Sequence, residues 1–188
     1  MKVIPLHQEE KRLIALAVDH NRQAQQQIYT KFSSKMLSVC RQYINDLHHA
    51  EDVMITGFMK VFTHLKKFEH KGSFEGWIRR IMIYECIDYL RVKKNNFNHQ
   101  DIEDVRINDN ESVYEMEDFS VDDIQNMIDN LPNGYKMVFN LYAIEGYKHQ
   151  EIAEMLNISE GTSKSQLSHA RKLLQQQIID LKLSLIHI

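Results

Sequence analysis

The sequence predicts an all-α protein built from two small helical modules joined by an acidic linker. Apolar residues recur at helical spacing along most of the 188 residues, and strand-like alternation is nearly absent. Only two prolines and six glycines interrupt the chain, which argues against a turn-rich β fold. With 43% hydrophobic and 26% charged residues, the composition is that of a folded chain and excludes a disordered one.

The first module, residues 1–94, is predicted to contain four helices. Asp19 or Asn21 suits the N-cap of the second helix and Ser73 that of the fourth, because short polar side chains accept bonds from the first free amides. The third helix is predicted to end before the loop of residues 69–72. The predicted helices cover residues 9–18, 21–44, 49–65 and 73–94.

Residues 95–119 are rich in Asn, Asp and Glu, show little periodicity, and are predicted to form a linker. The second module, residues 120–188, opens on Ser120 and Asp123, whose spacing resembles a capping box. Asn157 and Ile158 are expected to form a turn, after which Ser159 caps the last helix. The predicted helices of this module cover residues 121–131, 134–145, 149–156 and 160–183.

The net charge of -3 hides an uneven distribution. Residues 101–123 hold ten acidic residues and one arginine, a net charge of -9, while the rest of the chain carries +6. Residues 60–94 alone carry +5. A basic body with an acidic insert favours a polyanion-binding surface, and two merely solvated faces remain the alternative.

Residues 150–162 carry the sharpest local pattern, that of a helix-turn-helix. Ala153 is small where two helices cross, Asn157 suits a left-handed helix end, and Ser159 caps the next helix. In this motif the second helix enters the major groove, and short polar side chains flanked by bases suit base reading and phosphate contact. An ordinary surface helix in an α-hairpin is the alternative. The candidate DNA-binding residues are Ser159, Thr162, Lys164, Ser165, Gln166, His169, Arg171 and Lys172.

Three stretches of the chain, taken in order, form one further pattern. They are His49-Ala-Glu-Asp-Val53 continuing to Phe62, Gly72-Ser-Phe-Glu-Gly-Trp-Ile-Arg-Arg80 continuing to Arg91, and Leu131-Pro132 leading into Glu151-Ile-Ala-Glu154 and Gly161-Thr-Ser-Lys-Ser165. In these residues the chain resembles the sigma-70 family of bacterial transcription initiation factors, and within it the two-domain extracytoplasmic-function group. The resemblance implies sigma region 2 and region 4 folds and a protein that binds core RNA polymerase, reads promoter -10 and -35 elements, and helps melt DNA.

The third predicted helix carries an apolar pair outside its core stripe. At 100° per residue, Ile55 and Met59 fall beside Asp52 and Thr56, away from a stripe that begins at Ala50. Apolar residues flanked by polar ones on an outer face are typical of a docking surface. The resemblance implies that this face binds the clamp helices of the large polymerase subunit, although Gln and Glu are more frequent than Ile55 and Thr56 in the family. Burial within the bundle is the alternative.

The resemblance also implies that the loop before the fourth helix holds a base flipped out of the -10 element. Small and polar loop residues give backbone access and donors, and the following helix carries a basic stripe suited to the DNA backbone. Trp77 is a candidate support for the melted strand, but it shares a face with Phe74, which favours core packing. The candidate residues are His70, Lys71, Gly72, Ser73, Trp77, Arg79, Arg80, Arg91 and Lys94.

Catalytic and metal chemistry find no support in the sequence. His48, His49, Glu51 and Asp52 are the densest group of metal-ligating types, but neighbours on a helix diverge by about 100°. No phosphate-binding loop, dinucleotide fingerprint or nucleophile elbow occurs. We therefore expect no metal, no cofactor and no enzymatic activity. An enzyme with an appended DNA-binding module is the least favoured class.

Two cysteines inside helical patterns and the lack of a hydrophobic signal core predict a reduced, cytoplasmic protein without membrane insertion. The resemblance implies that this cytoplasm is bacterial. Core polymerase and promoter DNA are the expected partners. The resemblance leaves room for an anti-sigma factor, which the sequence does not reveal. Gln166 and His169 stand where Arg is common in the family, so weak DNA binding without polymerase is expected. A conventional helix-turn-helix regulator acting without polymerase is the alternative function.

Overall fold

A computed structural model of the chain describes residues 6–96 and 120–186. Every regular element in these ranges is helical, so the prediction of an all-α fold is confirmed. The chain divides into two compact units, Met1–Asn96 and Phe97–Ile188. Apart from its first two residues, which end a helix, the linker predicted at 95–119 lies outside the described residues.

Over residues 6–96, the first unit contains four helices and one short 3-10 turn. The long helices pack against one another through fully buried side chains such as Ile28, Val61 and Ile78. Ion pairs join Lys31 to Glu10, Lys35 to Glu75 and Lys60 to Glu85. The elements are α1 (Leu6–Val18), α2 (Arg22–Tyr43), α3 (Leu47–His64), the 3-10 turn (Leu65–Lys67) and α4 (Phe74–Asn96).

Short polar side chains fix where these helices begin. Of the two predicted caps of α2, Asn21 is the one used, since its side chain accepts a bond from the Ala24 amide at 3.0 Å. The Ser73 hydroxyl accepts a bond from the Gly76 amide at 3.3 Å. The predicted start of α3 is two residues late, because Asp46 caps the helix by accepting from the His49 amide at 2.9 Å. This bond lowers the pKa of Asp46 below its usual value.

Two cysteines meet in the core of the first unit. Cys40 of α2 and Cys86 of α4 are free thiols with no exposed surface. A hydrogen bond with Cys40, together with burial, raises the pKa of the Cys86 thiol far above its ordinary value. The Cys86 thiol therefore stays protonated, and both cysteines pack as small apolar side chains.

Gly57 allows α3 and α4 to approach closely. A Cβ at this position would overlap Met82 Sδ and lie 3.0 Å from Met82 Cε. Because Met82 is fully buried, we expect Gly57→Ala to lower the free energy of unfolding by about 1–3 kcal/mol through overpacking.

The control is Gly76→Ala, whose Cβ would meet Ser73 Cβ at an ordinary 3.7 Å. We expect it to leave the free energy of unfolding unchanged or to raise it by less than about 1 kcal/mol. Urea unfolding followed by Trp77 fluorescence measures both variants. Equal effects of the two substitutions would contradict the close approach.

The described part of the second unit, residues 120–186, contains four helices and a π-helical turn. The predicted capping box is present, with Asp123 and Ser120 each accepting a bond from the other's amide at 3.1 Å. Between the first two helices, the ammonium group of the buried Lys136 pairs with the Asp129 carboxylate. The elements are α5 (Val121–Asp129), α6 (Asn133–Phe139), the π turn (Asn140–Ile144), α7 (His149–Leu156) and α8 (Glu160–Ile186).

The π turn corrects the prediction of one continuous α-helix over residues 134–145. The Glu145 amide donates to the Asn140 carbonyl, five residues back, at 3.0 Å. The extra residue in this turn changes which side chains face outward, and Tyr142 and Ile144 are 36% and 42% exposed. Gly146 ends the turn at a φ of 76°.

No helix in residues 6–96 and 120–186 combines the length and the apolar composition that a membrane crossing requires.

Candidate functional site

The helix-turn-helix predicted from residues 150–162 is formed by α7 and α8. Asn157 ends α7 in the left-handed region at φ 54° and ψ 50°. The Ser159 hydroxyl then accepts a bond from the Thr162 amide at 2.9 Å and caps α8. Ile152 and Leu167 are buried between the two helices. These contacts fix the crossing of the two helices, as a major-groove reader requires.

The predicted DNA-binding residues of α8 fall into two groups. Gln166 and His169 lean on the start of α6, where the His169 ring stacks on Tyr135 at 5.5 Å and Gly134 leaves room for Gln166. Lys164 pairs with Glu160 at 2.7 Å, and this bond lowers the pKa of Glu160. Ser159, Thr162, Lys164, Ser165 and Arg171 are exposed, whereas Gln166, His169 and Lys172 are half-buried.

Three residues that the sequence reasoning did not assign lie beside this surface. His149 Nδ1 lies 2.9 Å from the hydroxyl of the fully buried Ser163. The His149 ring stacks on Tyr142 at 4.6 Å, and the Arg171 guanidinium lies 5.7 Å from the Tyr142 ring centroid. One signal was present in the sequence, because Ser163 falls on the inward stripe of α8, and a buried hydroxyl needs a partner.

The loop before α4 is held by aromatic side chains. Phe68 is buried, with its ring 5.5 Å from Trp77 and 4.9 Å from His70. His70 and Gly72 take positive φ angles of 57° and 94°. The four predicted residues of this loop are all exposed, namely His70, Lys71, Gly72 and Ser73.

A cavity of about 310 Å³ lies between this loop and α1. Ile14, Leu65 and Phe68 supply apolar walls, and Lys66 and His70 are among its polar lining residues. The cavity is open to solvent and brings apolar walls and a few polar groups together.

The predicted basic residues of α4 occupy different environments. Arg79 is half-buried, and the exposed Arg80 lies with its guanidinium 5.9 Å from the Tyr84 ring. Arg91 is exposed and pairs with Asp88 at 3.0 Å. The side chain of Lys94 lies outside the described part of the chain.

Trp77 on the same helix is half-buried, with its ring nearly parallel to that of Phe74 at 14° and 6.0 Å. This packing agrees with the core role that the sequence favoured.

The outer face of α3 carries an unusual concentration of apolar surface. Met59 is 67% exposed and Ile55 is 49% exposed. Beside them, the Thr56 hydroxyl donates to the Asp52 carbonyl at 2.9 Å, and the Asp52 carboxylate faces solvent. The predicted core stripe lies on the opposite side and consists of Ala50, Met54, Phe58, Val61, Phe62 and Leu65, which are buried except for the half-buried Phe62. The face is therefore an apolar pair rimmed by polar groups.

Metal binding finds no geometric support in residues 6–96 and 120–186, where no three His, Cys, Asp or Glu side chains converge.

Both units match a known protein family. The family described as "Sigma-70 region 2" matches residues 28–96, and that described as "Sigma-70, region 4" matches residues 121–174. The ECF RNA polymerase sigma factor SigW of Bacillus subtilis is 29% identical over 163 residues, covering 80% of this chain and 86% of SigW. The ECF RNA polymerase sigma-E factor of Haemophilus influenzae is 24% identical, covering 80% of this chain and 85% of its own.

Two solved structures share the fold. The sigma factor RpoE of Bartonella quintana, in complex with the anti-sigma factor NepR, superposes with a TM-score of 0.53 at 18% identity. It covers 81% of this chain and 95% of its own. CnrH, in complex with the cytosolic domain of CnrY, gives a TM-score of 0.50 at 18% identity, covering 89% and 96%.

Proposed function

Because the chain belongs to the extracytoplasmic-function group of the sigma-70 family, it is a promoter-recognising sigma factor of RNA polymerase, and we propose how its two units divide that function. The observation that carries the proposal is the order of the units. A region 2 bundle with an exposed apolar face precedes a region 4 helix-turn-helix. We assign residues 1–94 to the first domain, 95–119 to a linker and 120–188 to the second domain.

The first domain docks on the clamp helices of the large polymerase subunit through the outer face of α3. Ile55 and Met59 supply the apolar centre, with Asp52 and Thr56 at the rim. Burial of exposed apolar side chains within a polar rim is the usual anatomy of a protein interface, which supports this assignment.

The first domain also captures the melted -10 strand. The exposed loop of residues 70–73 and the cavity beside it, with apolar walls and polar lining groups, suit an unstacked base. Arg79, Arg80, Arg91 and Lys94 follow the DNA backbone, and Trp77 supports the loop from its packed position. The positive charge of the 60–94 segment supports this role.

The second domain places the start of α8 in the -35 major groove. The exposed Ser159, Thr162 and Ser165 suit base-edge contacts, and Lys164 and Arg171 suit phosphates. Gln166, His169 and Lys172 are half-buried, so their side chains extend less far toward the DNA. This supports weak DNA binding by the free chain and strong dependence on delivery by polymerase.

The remaining assignments follow from the family. The chain itself catalyses nothing, since RNA synthesis belongs to the polymerase, and it acts in the bacterial cytoplasm with core enzyme and promoter DNA. For the predicted linker, most of whose residues lie outside the described part of the chain, the net charge of -9 over residues 101–123 supports a role in mimicking nucleic acid. An anti-sigma partner is part of the proposal, because RpoE of Bartonella quintana was solved with one.

The test is binding to purified bacterial core RNA polymerase in the absence of DNA. We expect stoichiometric binding by the wild type and binding at least about tenfold weaker for Asp52→Arg, because a rim charge of the wrong sign disfavours docking. Glu9→Arg makes the same charge change at an exposed site on α1 and should bind like the wild type.

Unchanged binding of Asp52→Arg would move the contact away from this face. If the free chain does not bind polymerase but binds duplex DNA tightly, it is instead a conventional helix-turn-helix regulator.

A further inference from the structure

Four side chains form one connected group at the helix-turn-helix of the second unit. Tyr142 comes from the π turn, His149 from the start of α7, and Ser163 and Arg171 from α8. A hydrogen bond, a ring stack and a cation-π contact join all four, and we call them the Tyr142 cluster. No residue of the cluster other than Arg171 is among the predicted DNA-binding residues.

Ser163 anchors this cluster to α8. Its side chain has no exposed surface, and its hydroxyl lies 2.9 Å from His149 Nδ1. A buried hydroxyl that loses its partner is costly, so this bond fixes the His149 ring relative to α8.

Tyr142 links the anchored histidine to an exposed arginine. Its ring lies nearly parallel to the His149 ring, at 23° and 4.6 Å, which restrains it from one side. The Arg171 guanidinium lies 5.7 Å from the Tyr142 centroid, within cation-π range, while the Arg171 side chain stays exposed.

An arginine held in this way reaches a DNA phosphate at a lower entropic cost. A long side chain loses rotamer freedom when it is fixed at an interface, and contacts that restrain it beforehand reduce that loss. Lys164, the other exposed base on α8, is held differently, by an ion pair with Glu160 on its own helix.

We propose that Tyr142 and His149 are positioning residues for -35 recognition, which hold Arg171 in place to contact a phosphate of the bound duplex. The proposal rests on the proposed function of the second domain and deepens it. Tyr142 and His149 touch no DNA in this arrangement and act through Arg171.

The test measures promoter affinity of the holoenzyme, formed from the full chain and core polymerase. The probe is a duplex selected from a random-sequence library by the wild-type holoenzyme, compared with the same duplex carrying a scrambled -35 element. We expect Tyr142→Leu to weaken -35-dependent binding by about two- to fivefold, the size of one exposed cation-π contact.

Three further variants separate positioning from support of the fold. Tyr142→Phe keeps the ring and should bind within about twofold of the wild type, because the ring face alone holds the cation. The double variant Tyr142→Leu/Arg171→Ala should bind no more weakly than Arg171→Ala alone, since interacting residues do not add. Ile144→Ala, exposed on the same turn, is the matched control and should have no effect.

A second pair of variants tests the bond between His149 and Ser163. His149→Phe keeps a ring but leaves the Ser163 hydroxyl buried without its nitrogen, and should weaken binding. His149→Phe/Ser163→Ala removes both polar groups and should recover the stability lost in His149→Phe, but its binding should stay weak because the ring is still not anchored to α8. Wild-type binding by His149→Phe alone overturns the role of the anchor.

The outcomes separate the two levels of the proposal. If the wild-type holoenzyme selects no sequence, the proposed function fails, whatever the variants do. If it selects one and the effects of Tyr142→Leu and Arg171→Ala add, Tyr142 supports the fold only and the positioning role is overturned. Circular dichroism of each variant confirms that the loss of affinity does not come from unfolding.

Discussion

Met59→Glu is expected to reduce the affinity of the chain for core RNA polymerase by on the order of 30- to 100-fold, the effect of losing an interface hot spot of about 2–3 kcal/mol. Met59 is 67% exposed, the largest exposed fraction among the large apolar side chains of the described residues. Binding would place the introduced carboxylate in an apolar contact without a partner, which is costly.

A matched control separates this effect from a general effect of added charge. Val92 on α4 is 60% exposed, so Val92→Glu makes the same kind of change on another face of the first unit. We expect Val92→Glu to bind core polymerase like the wild type when no DNA is present. Titration of labelled chain with core polymerase measures both, and equal affinities would refute the docking face on α3.

Lys136→Ala is expected to lower the free energy of unfolding of the second unit by about 3–5 kcal/mol, the usual cost of breaking a buried ion pair. The Lys136 side chain is 4% exposed and the Asp129 side chain 23% exposed. Removing the ammonium group leaves the Asp129 carboxylate poorly solvated without its cation. The second unit is small, so a loss of this size unfolds most of it at ambient temperature.

The single tryptophan allows this loss to be assigned to one unit. Trp77 lies in α4, so its fluorescence reports the first unit, while far-ultraviolet circular dichroism reports both. We expect Lys136→Ala to lower the helical signal and leave the Trp77 transition unchanged. Lys136→Met/Asp129→Leu removes both charges and should regain most of the stability. A single variant as stable as the wild type would show that the pair contributes little.

The sequence predicted helix limits well where the determining chemistry was local. Asn21, Ser73 and Ser159 act as caps where they were expected, since a cap depends on a side chain and the amides a few residues later. The start of α3 was misplaced because Asp46, the residue that caps it, was overlooked. The π turn was missed because its residues have the same apolar spacing as an α-helix.

Surface positions on a regular helix were equally accessible to sequence reasoning. Counting 100° per residue along α3 placed Ile55 and Met59 outside the core stripe, and both are exposed. The sequence did not predict the contacts near α6, where Gln166 and His169 of α8 pack against another helix. Helix periodicity contains no information about which neighbour covers a face.

Contacts between residues far apart in the sequence could not be predicted from it. The bond between His149 and Ser163 joins residues fourteen positions apart on different helices, and Tyr142 reaches them only because of the π turn. Lys136 follows Tyr135 in an otherwise apolar stretch, where a lysine is normally expected at the surface. Its burial depends on Asp129, which the tertiary fold brings close.

The reaction rate of the two buried thiols reports how often the helices of the first unit separate. Cys40 and Cys86 have no exposed surface, and only a thiolate attacks an electrophile, so the closed unit resists alkylation and oxidation at both positions. Reaction at either sulfur must therefore pass through a state in which α2 and α4 have separated. The rate of such a reaction follows how often the bundle opens, and a polymerase-bound chain reacts more slowly wherever binding favours the closed form.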